Sequence, residues 1–225
     1  MSFITPNEKQ KEDATVNYTN IASKELLLIF TRNPQLGKCK TRLAATIGDQ
    51  AALDIYRFLL GHTVKTTENL NTAKQVWYSE EIWTDDIWSP IIFDKKLQQG
   101  PDLGVRMAHA FQEGFASGFE RIIVIGSDMY DLDQNDLQQA FSELKKNDFV
   151  IGPAQDGGYY LLGMNRFKPE LFSNKAWGQE SVLADTLENL KNEKHHILDE
   201  RNDVDVYEDI QHIDAFRPYL KHLTS

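Results

Sequence analysis

The run IIVIGSDM ends on Asp128, and GPAQDGGYYLLG follows further along the chain at Gly152 to Gly163. Ile122, Ile123, Val124 and Ile125 form an unbroken apolar stretch, as expected of a strand covered on both faces of a parallel sheet. Asp128 then emerges at the carboxyl end of that strand, where open α/β sheets bind ligands. A carboxylate there suits a hard cation, Mg²⁺ or Mn²⁺, which bridges to phosphate oxygens and needs only one or two protein carboxylates. The second metal ligand is sought in NDVDVYED, where Asp203 and Asp205 alternate around Val204 and share a face if the chain is extended. Asp205 is the preferred one. Asp128 as an N-cap or turn residue, and Asp203 and Asp205 as a solvated acidic cluster, are the plain alternatives.

In the second motif, Asp156, Gly157 and Gly158 both form a turn and remove side-chain bulk, so that a ligand can approach backbone amides. A tight hairpin turn alone would also explain them. Asp156 is positioned to hydrogen-bond a sugar or acceptor hydroxyl, with Tyr159 or Tyr160 as an aromatic wall. Trp177 and Gly178 either line an acceptor site or simply pack. Asp128 and Asp156 are therefore the catalytic candidates, and Gly157, Gly158, Tyr159 and Trp177 the substrate-binding ones.

Between Arg32 and Gly48 the sequence RNPQLGKCKTRLAATIG carries Arg32, Lys38, Lys40 and Arg42 but no Asp or Glu. That local reversal of charge, in a chain of formal net charge −10, points to an anion cradle. A phosphate over a glycine-bearing loop meets free backbone N–H groups, and Lys or Arg adds charge-assisted bonds. Each unit-charge pair at about 4 Å contributes on the order of 4 kcal/mol before desolvation at an effective dielectric near 20. Arg32, Gly37, Lys38, Lys40 and Arg42 are accordingly nucleotide-binding candidates, against the alternative of a solvated basic loop. The loop is not a Walker A motif, since Cys39 follows Lys38, and GxGxxG is absent. Cys39, between two lysines, could have a depressed pKa, but no base is in place to make it a nucleophile. In QGPDLGVRM, Asp102 and Arg106 stand one helical turn apart, either as a cap with an ion pair or as nucleotide contacts.

These residues require a scaffold. LLLIFT (Leu26 to Thr31) reads as a buried strand, and Ala52, Ile55, Tyr56, Leu59, Leu60 and Thr63 recur at helical spacing between Asp49 and about Leu70. Gln75 to Ser79 suggests a strand; Ile91 to Phe93 is too short to assign. Asp102 caps a helix that ends near Gly114 and Gly118. Asp133 to Lys146 is helical in pattern, Phe149 to Pro153 and Tyr159 to Met164 are strands, and Val182 to Leu190 is helical. His196 to Leu198 reads as a short strand and Tyr207 to Leu220 as a closing helix. Strands alternating with helices imply an open, mostly parallel twisted α/β sheet with helices on both faces.

At 225 residues and 41% hydrophobic, the chain is long enough for one substantial core. Residues 1–23 are polar and are expected to be a flexible arm that matches neither a signal peptide nor an anchor; residues 24–225 form the single domain. The negative charge argues against nucleic acid as partner. No apolar run approaches a membrane span, and the single cysteine excludes an internal disulfide, which fits a reducing cytoplasm.

Taken in order, FTRNPQLGKCKTRLA, QGPDLGVRMAHAF, IGSDM, GPAQDGGYYLLG, AWGQESVL and DVDVYEDI resemble a bacterial family of glycosyltransferase-like proteins with the nucleotide-diphospho-sugar transferase (GT-A-like) fold, the radical-SAM/selenodomain-associated transferases. The resemblance runs from Lys24 to about Ile213 and extends to molybdenum-cofactor and phospholactate guanylyltransferases. It implies that Gly37, Lys38, Lys40 and Arg42 grip nucleotide phosphates, that Asp128 holds the metal, and that Asp156 to Gly158 face the second substrate. Two departures stand out. The family commonly continues Ser-Asp with Cys-Pro where this chain has Met129 and Tyr130, and has Trp-Ser-Thr where this chain has Trp177, Gly178 and Gln179.

The expectation is a metal-dependent transferase that takes a nucleotide or nucleotide-sugar donor and a small-molecule acceptor. Glycosyl transfer stands first and nucleotidyl transfer with pyrophosphate release second. A nucleotide-binding protein without catalysis, consistent with Tyr130 in place of proline, is the third reading.

Overall fold

In the computed structural model, which describes residues 23–223, the strand β1 (Glu25–Thr31) buries both of its faces. Leu26 and Leu28 point to one side of the sheet, and Leu27 and Ile29 to the other. The continuous apolar run is thus the signature of a strand between two helical layers. The flexible-arm expectation falls mainly on residues 1–22, outside the described residues.

After β1 the chain forms α1 (Thr41–Ile47), α2 (Asp49–Thr67), β2 (Ala73–Tyr78), β3 (Asp94–Leu97), α3 (Leu103–Ala116) and β4 (Arg121–Ile125). It continues through α4 (Gln134–Leu144), β5 (Phe149–Pro153), β6 (Tyr159–Met164), α5 (Val182–Leu190) and β7 (His195–Ile197). The strands make one sheet in the order β3-β2-β1-β4-β6-β5-β7. Every pairing is parallel except those of β6, which runs against both β4 and β5. Mostly parallel was the expected arrangement, and the reversal of β6 follows from its short hairpin link to β5, which leaves no room for a crossover.

One face of the sheet packs against α2 and α4 through Leu53, Tyr56, Leu60, Leu137, Ala140 and Phe141. The other packs against α3 and α5 through Met107, Ala110, Phe111 and Leu190. A third, smaller cluster joins Leu43 and Ile47 of α1 and Ile55 and Leu59 of α2 to Val204, Ile210 and Phe216. Asp102 accepts a bond from the Val105 N–H at 2.9 Å, and Asp133 and Asp136 form a reciprocal capping box.

One sequence expectation changes. Tyr207 to Leu220 is not one helix but separate 3₁₀ turns, Tyr207–Asp209 and Asp214–Tyr219, because Pro218 offers no N–H to a longer α ladder. The run Ile91 to Phe93, too short to assign from sequence, lies just before the strand Asp94–Leu97. Among the described residues no helix is long and apolar enough to cross a membrane.

Candidate functional site

β1 and β4 are parallel neighbours, but the chain leaves β1 towards β2 on one side and later places β4 on the other. Between such strands the carboxyl ends open into a crevice. Arg32 follows β1 there, and Gly126, Ser127 and Asp128 follow β4. Beneath the crevice, the Tyr56 hydroxyl from α2 lies 3.3 Å from Thr31 Oγ1 and 3.2 Å from Ser127 Oγ, and accepts the Arg32 N–H at 2.9 Å. The hydroxyls of Ser127 and Thr31 are 3.1 Å apart. This buried network fixes the two strand ends to each other.

The cationic loop folds over the same crevice. Asn33, buried, ties its start to the neighbouring turn by donating to Glu81 O at 2.8 Å and accepting from the N–H groups of Glu80 and Glu81. Gly37 sits at φ 73°, and Lys40 adopts a left-handed conformation, φ 50°, immediately before α1. The turn directs Lys40 inward, where its Nζ lies 2.9 Å from Asp128 Oδ2 with only 6% of its side chain exposed. Burial works against the ammonium, but the charge of Asp128 and its hydrogen bond outweigh it, and the Lys40 pKa is raised. Arg42 pairs with Asp205 on the rim, and the exposed Lys38 reaches Glu80 at 3.3 Å. Arg106 does not pair with Asp102. Its Nε donates to Gly100 O at 2.9 Å, while Asp102 serves as the α3 cap.

The crevice divides into two compartments that meet at Phe30, Leu103, Gly126 and Asp128. The larger, of about 740 Å³, is walled by Arg32, Lys38, Lys40, Arg42, Arg106 and Asp205, with Asp102 at its edge. Its volume is that of a small-molecule site. The smaller, of about 230 Å³, has a largely apolar wall that includes Phe30, Met107, Tyr159 and Trp177, with Asp128, Asp156 and Asp203 at its polar edge. Asp203 and Asp205 therefore face different compartments rather than sharing one. Burial, followed by the neighbouring charge of Asp128, pushes the Asp203 carboxyl up to about 6.

Met129 and Asp203 form an isolated antiparallel bridge, and the Val204 N–H donates to Asp128 O at 3.3 Å. Asp209 then accepts the N–H groups of Asp205 and Val206 at 2.8 and 2.7 Å. Tyr130, at the position where the resemblance led to proline, packs its ring 5.0 Å from that of Phe216 and 5.9 Å from Phe58. The acidic segment is thereby stitched to the end of β4.

Residues 154–158 form the tight β5–β6 turn, with the Gly157 N–H bonded to Ala154 O at 3.1 Å and the Gly158 N–H to Asp156 Oδ1 at 2.8 Å. Gly157 has φ 85°, and a Cβ there would come within 2.4 Å of Glu180 O. The turn consequently rests directly on the segment that carries Trp177. A Cβ at Gly104 would fall 2.5 Å from Trp177 Nε1, so α3 and Trp177 also approach closely. Tyr159 and Gly158 line the smaller compartment. Cys39 departs from expectation: it is 3% exposed, and burial pushes its thiol up despite Lys40 and Arg32 nearby.

Among the described residues no group of three or more His, Cys, Asp or Glu converges as a metal cage. The structural partners that sequence reasoning did not single out are Tyr56, Ser127 and Thr31. Helical spacing put Tyr56 on an apolar face, and nothing in it indicated where the hydroxyl would reach.

The pattern of DUF2064, described as an uncharacterized protein conserved in bacteria, matches residues 63–179. The chain belongs to this family. No curated protein matches the chain. Among solved structures, this DUF2064 member is similar to a protein provisionally assigned as a nucleotide-diphospho-sugar transferase from Desulfovibrio desulfuricans G20. The two are 29% identical with a TM-score of 0.78, over 90% of this chain and 96% of the other. The fold also resembles a 4-diphosphocytidyl-2C-methyl-D-erythritol synthase from Anaerococcus prevotii DSM 20548, at 10% identity and TM-score 0.52 over 91% and 98% of the two chains. A CMP:2-keto-3-deoxy-manno-octonic acid synthetase complexed with CTP matches at 10% identity and TM-score 0.51, over 87% and 99%. The DUF2064 chain thus has the nucleotide-diphospho-sugar transferase fold.

Proposed function

We propose that the protein is a divalent-metal-dependent transferase that moves a glycosyl group from a nucleotide-diphospho-sugar to a small-molecule acceptor. One observation carries this reading: a cation-walled compartment and a carboxylate-edged one meet at Asp128, at the carboxyl end of β4. The donor's phosphates belong in the first, held by Arg32, Lys38, Lys40 and Arg42 with the backbone around Gly37, and its nucleoside lies towards Asp102 and Arg106. The acceptor belongs in the second, against Trp177 and Tyr159 and beside Asp156, Gly157 and Gly158. The Desulfovibrio desulfuricans G20 relative, assigned to the same class, supports the choice of donor.

Asp128 and Asp205 fit an Mg²⁺ or Mn²⁺ ion, because both offer hard oxygen donors to the cation-walled compartment and such ions take their other ligands from phosphate and water. When bound, the ion would neutralise charge on the departing diphosphate. The chain's own groups do the rest. The acceptor oxygen bonds to the anomeric carbon. The bond from that carbon to the diphosphate breaks, its electron pair leaving on the nucleoside diphosphate, and the acceptor's proton passes to Asp156. Lys40, enclosed and aimed at the same point as Asp128, would stabilise the leaving charge in a site of low dielectric.

The concentration of cations around the larger compartment also favours a second reading, nucleotidyl transfer, since a triphosphate carries more charge than a diphosphate. There the acceptor oxygen attacks the α-phosphorus and pyrophosphate leaves. Incubation with a panel of nucleotide sugars, and separately with nucleoside triphosphates, distinguishes the two. Nucleoside diphosphate released from a nucleotide sugar is the expected product; pyrophosphate alone would overturn glycosyl transfer.

A further inference from the structure

The smaller compartment carries a charge pattern opposite to that of its neighbour. Its polar edge is formed by Asp128, Asp156, Asp203 and the uncharged Gln179, and among the described residues no Lys, Arg or His side chain lines it. Lys40 pairs with Asp128 from the cation-walled side. Asp156 is bonded to the Gly158 N–H of its own turn and, among the described residues, is in no ion pair. The Asp203 carboxylate has no protein hydrogen-bond donor or ion-pair partner among the described residues. Around these groups stand Phe30, Met107, Tyr159 and Trp177, which offer flat apolar surface.

We propose that this compartment selects a small ring that is uncharged or bears an ammonium group, and rejects phosphorylated or carboxylated acceptors. The inference rests on the transferase reading only in calling the ring an acceptor. The space of about 230 Å³ holds a single ring-sized group. An apolar ring face would lie against Trp177 and Met107, and hydroxyl or amino donors on the ring edge would satisfy Asp156 and Asp203. An ammonium near the indole would gain a further attraction to its face. An anion would lose solvation beside three carboxylates whose charge Lys40, paired with Asp128 from the other compartment, offsets only in part. Filling the neighbouring compartment with a divalent ion and a diphosphate would not reverse this preference, because the diphosphate itself balances the ion's charge.

Four rings of similar size test the idea: glucose, glucosamine, glucuronate and glucose 1-phosphate. Each is examined by saturation-transfer NMR against the full chain, with inorganic pyrophosphate and Mg²⁺ present to occupy the cation-walled compartment. Glucose and glucosamine should show transfer that is lost in Trp177→Ala, with affinities at least about tenfold above those of the two anions. The variant Asp156→Asn/Asp203→Asn should narrow that gap by admitting glucuronate. Trp177-dependent transfer to an anion as strong as to glucose would overturn the proposal, and so would the absence of transfer to all four. Calorimetry of pyrophosphate with Mg²⁺, without a ring, separates the two claims. If pyrophosphate does not bind while the ring preference persists, the donor assignment falls and the pocket's selectivity stands.

Discussion

Lys40 and Asp128 meet at 2.9 Å, the lysine almost enclosed and the carboxylate still open to the crevice. The loop after β1 and the end of β4 are therefore one charged unit. Removing either partner leaves the other with an unbalanced charge, which costs more than the net contribution of the pair itself.

Lys40→Met should lower unfolding stability by about 1–3 kcal/mol, the range for a polar group left unsatisfied; the exposure of Asp128 keeps the loss from being larger. Lys40→Met/Asp128→Asn should recover most of it. Both variants should lose nucleotide binding by calorimetry. Urea unfolding in which the two substitutions simply add their costs would show that the pair is not coupled.

Tyr56→Phe removes a hydroxyl shared by Thr31, Ser127 and the Arg32 N–H. The expected loss is about 1–3 kcal/mol, since several buried partners lose it at once. Turnover should fall more than donor affinity, because the lost hydroxyl is the group that holds the two strand ends in register, while the ring and the cations of the donor compartment remain. Unchanged stability and turnover together would refute this positioning role.

Gly157→Ala places a methyl group against the backbone of Glu180 in a left-handed conformation. The β5–β6 turn must then move away from the Trp177 segment. Nucleotide affinity should survive, while any binding that depends on Trp177 should weaken several-fold. A variant that keeps wild-type thermal stability and ring binding would contradict the close contact.

Cys39 gives a prediction in pH. Because burial raises its pKa, the thiolate fraction is smaller than in free cysteine at every pH below that raised value. Reaction with a disulfide reagent should be slower than for a free thiol at pH 7, and its rate should keep rising with pH beyond about 8.5, where that of a free thiol levels off. A free-thiol rate at neutral pH would show that the loop does not stay folded over it.

What the chain reveals before folding depends on how local the cause is. β1 and β4 were legible because burial on both faces leaves an unbroken apolar run, α3 because Asp102 caps it, and α4 because Asp133 to Lys146 is helical in pattern. β3 was not: an edge strand reading Asp-Lys-Lys-Leu has no apolar period. α1 was hidden inside the basic loop, since it is short and starts at a left-handed lysine without a side-chain cap. The direction of β6 has no trace in side-chain alternation. In the site, the two charged motifs were readable separately, but which lysine turns inward depends on the backbone at Lys40, and the departure at Tyr130 acquires its meaning only beside Phe216.

The third apolar cluster has a mechanical corollary. Because α1 and the Val204 to Phe216 segment are packed on each other through Leu43, Ile47, Val204, Ile210 and Phe216, Arg42 and Asp205 ride on the same small body. Because that body is tied to the end of β4 by the Val204 N–H bond to Asp128 O and the bridge between Met129 and Asp203, the Arg42–Asp205 spacing and the place of Asp128 are set together, as teeth seated in one jaw.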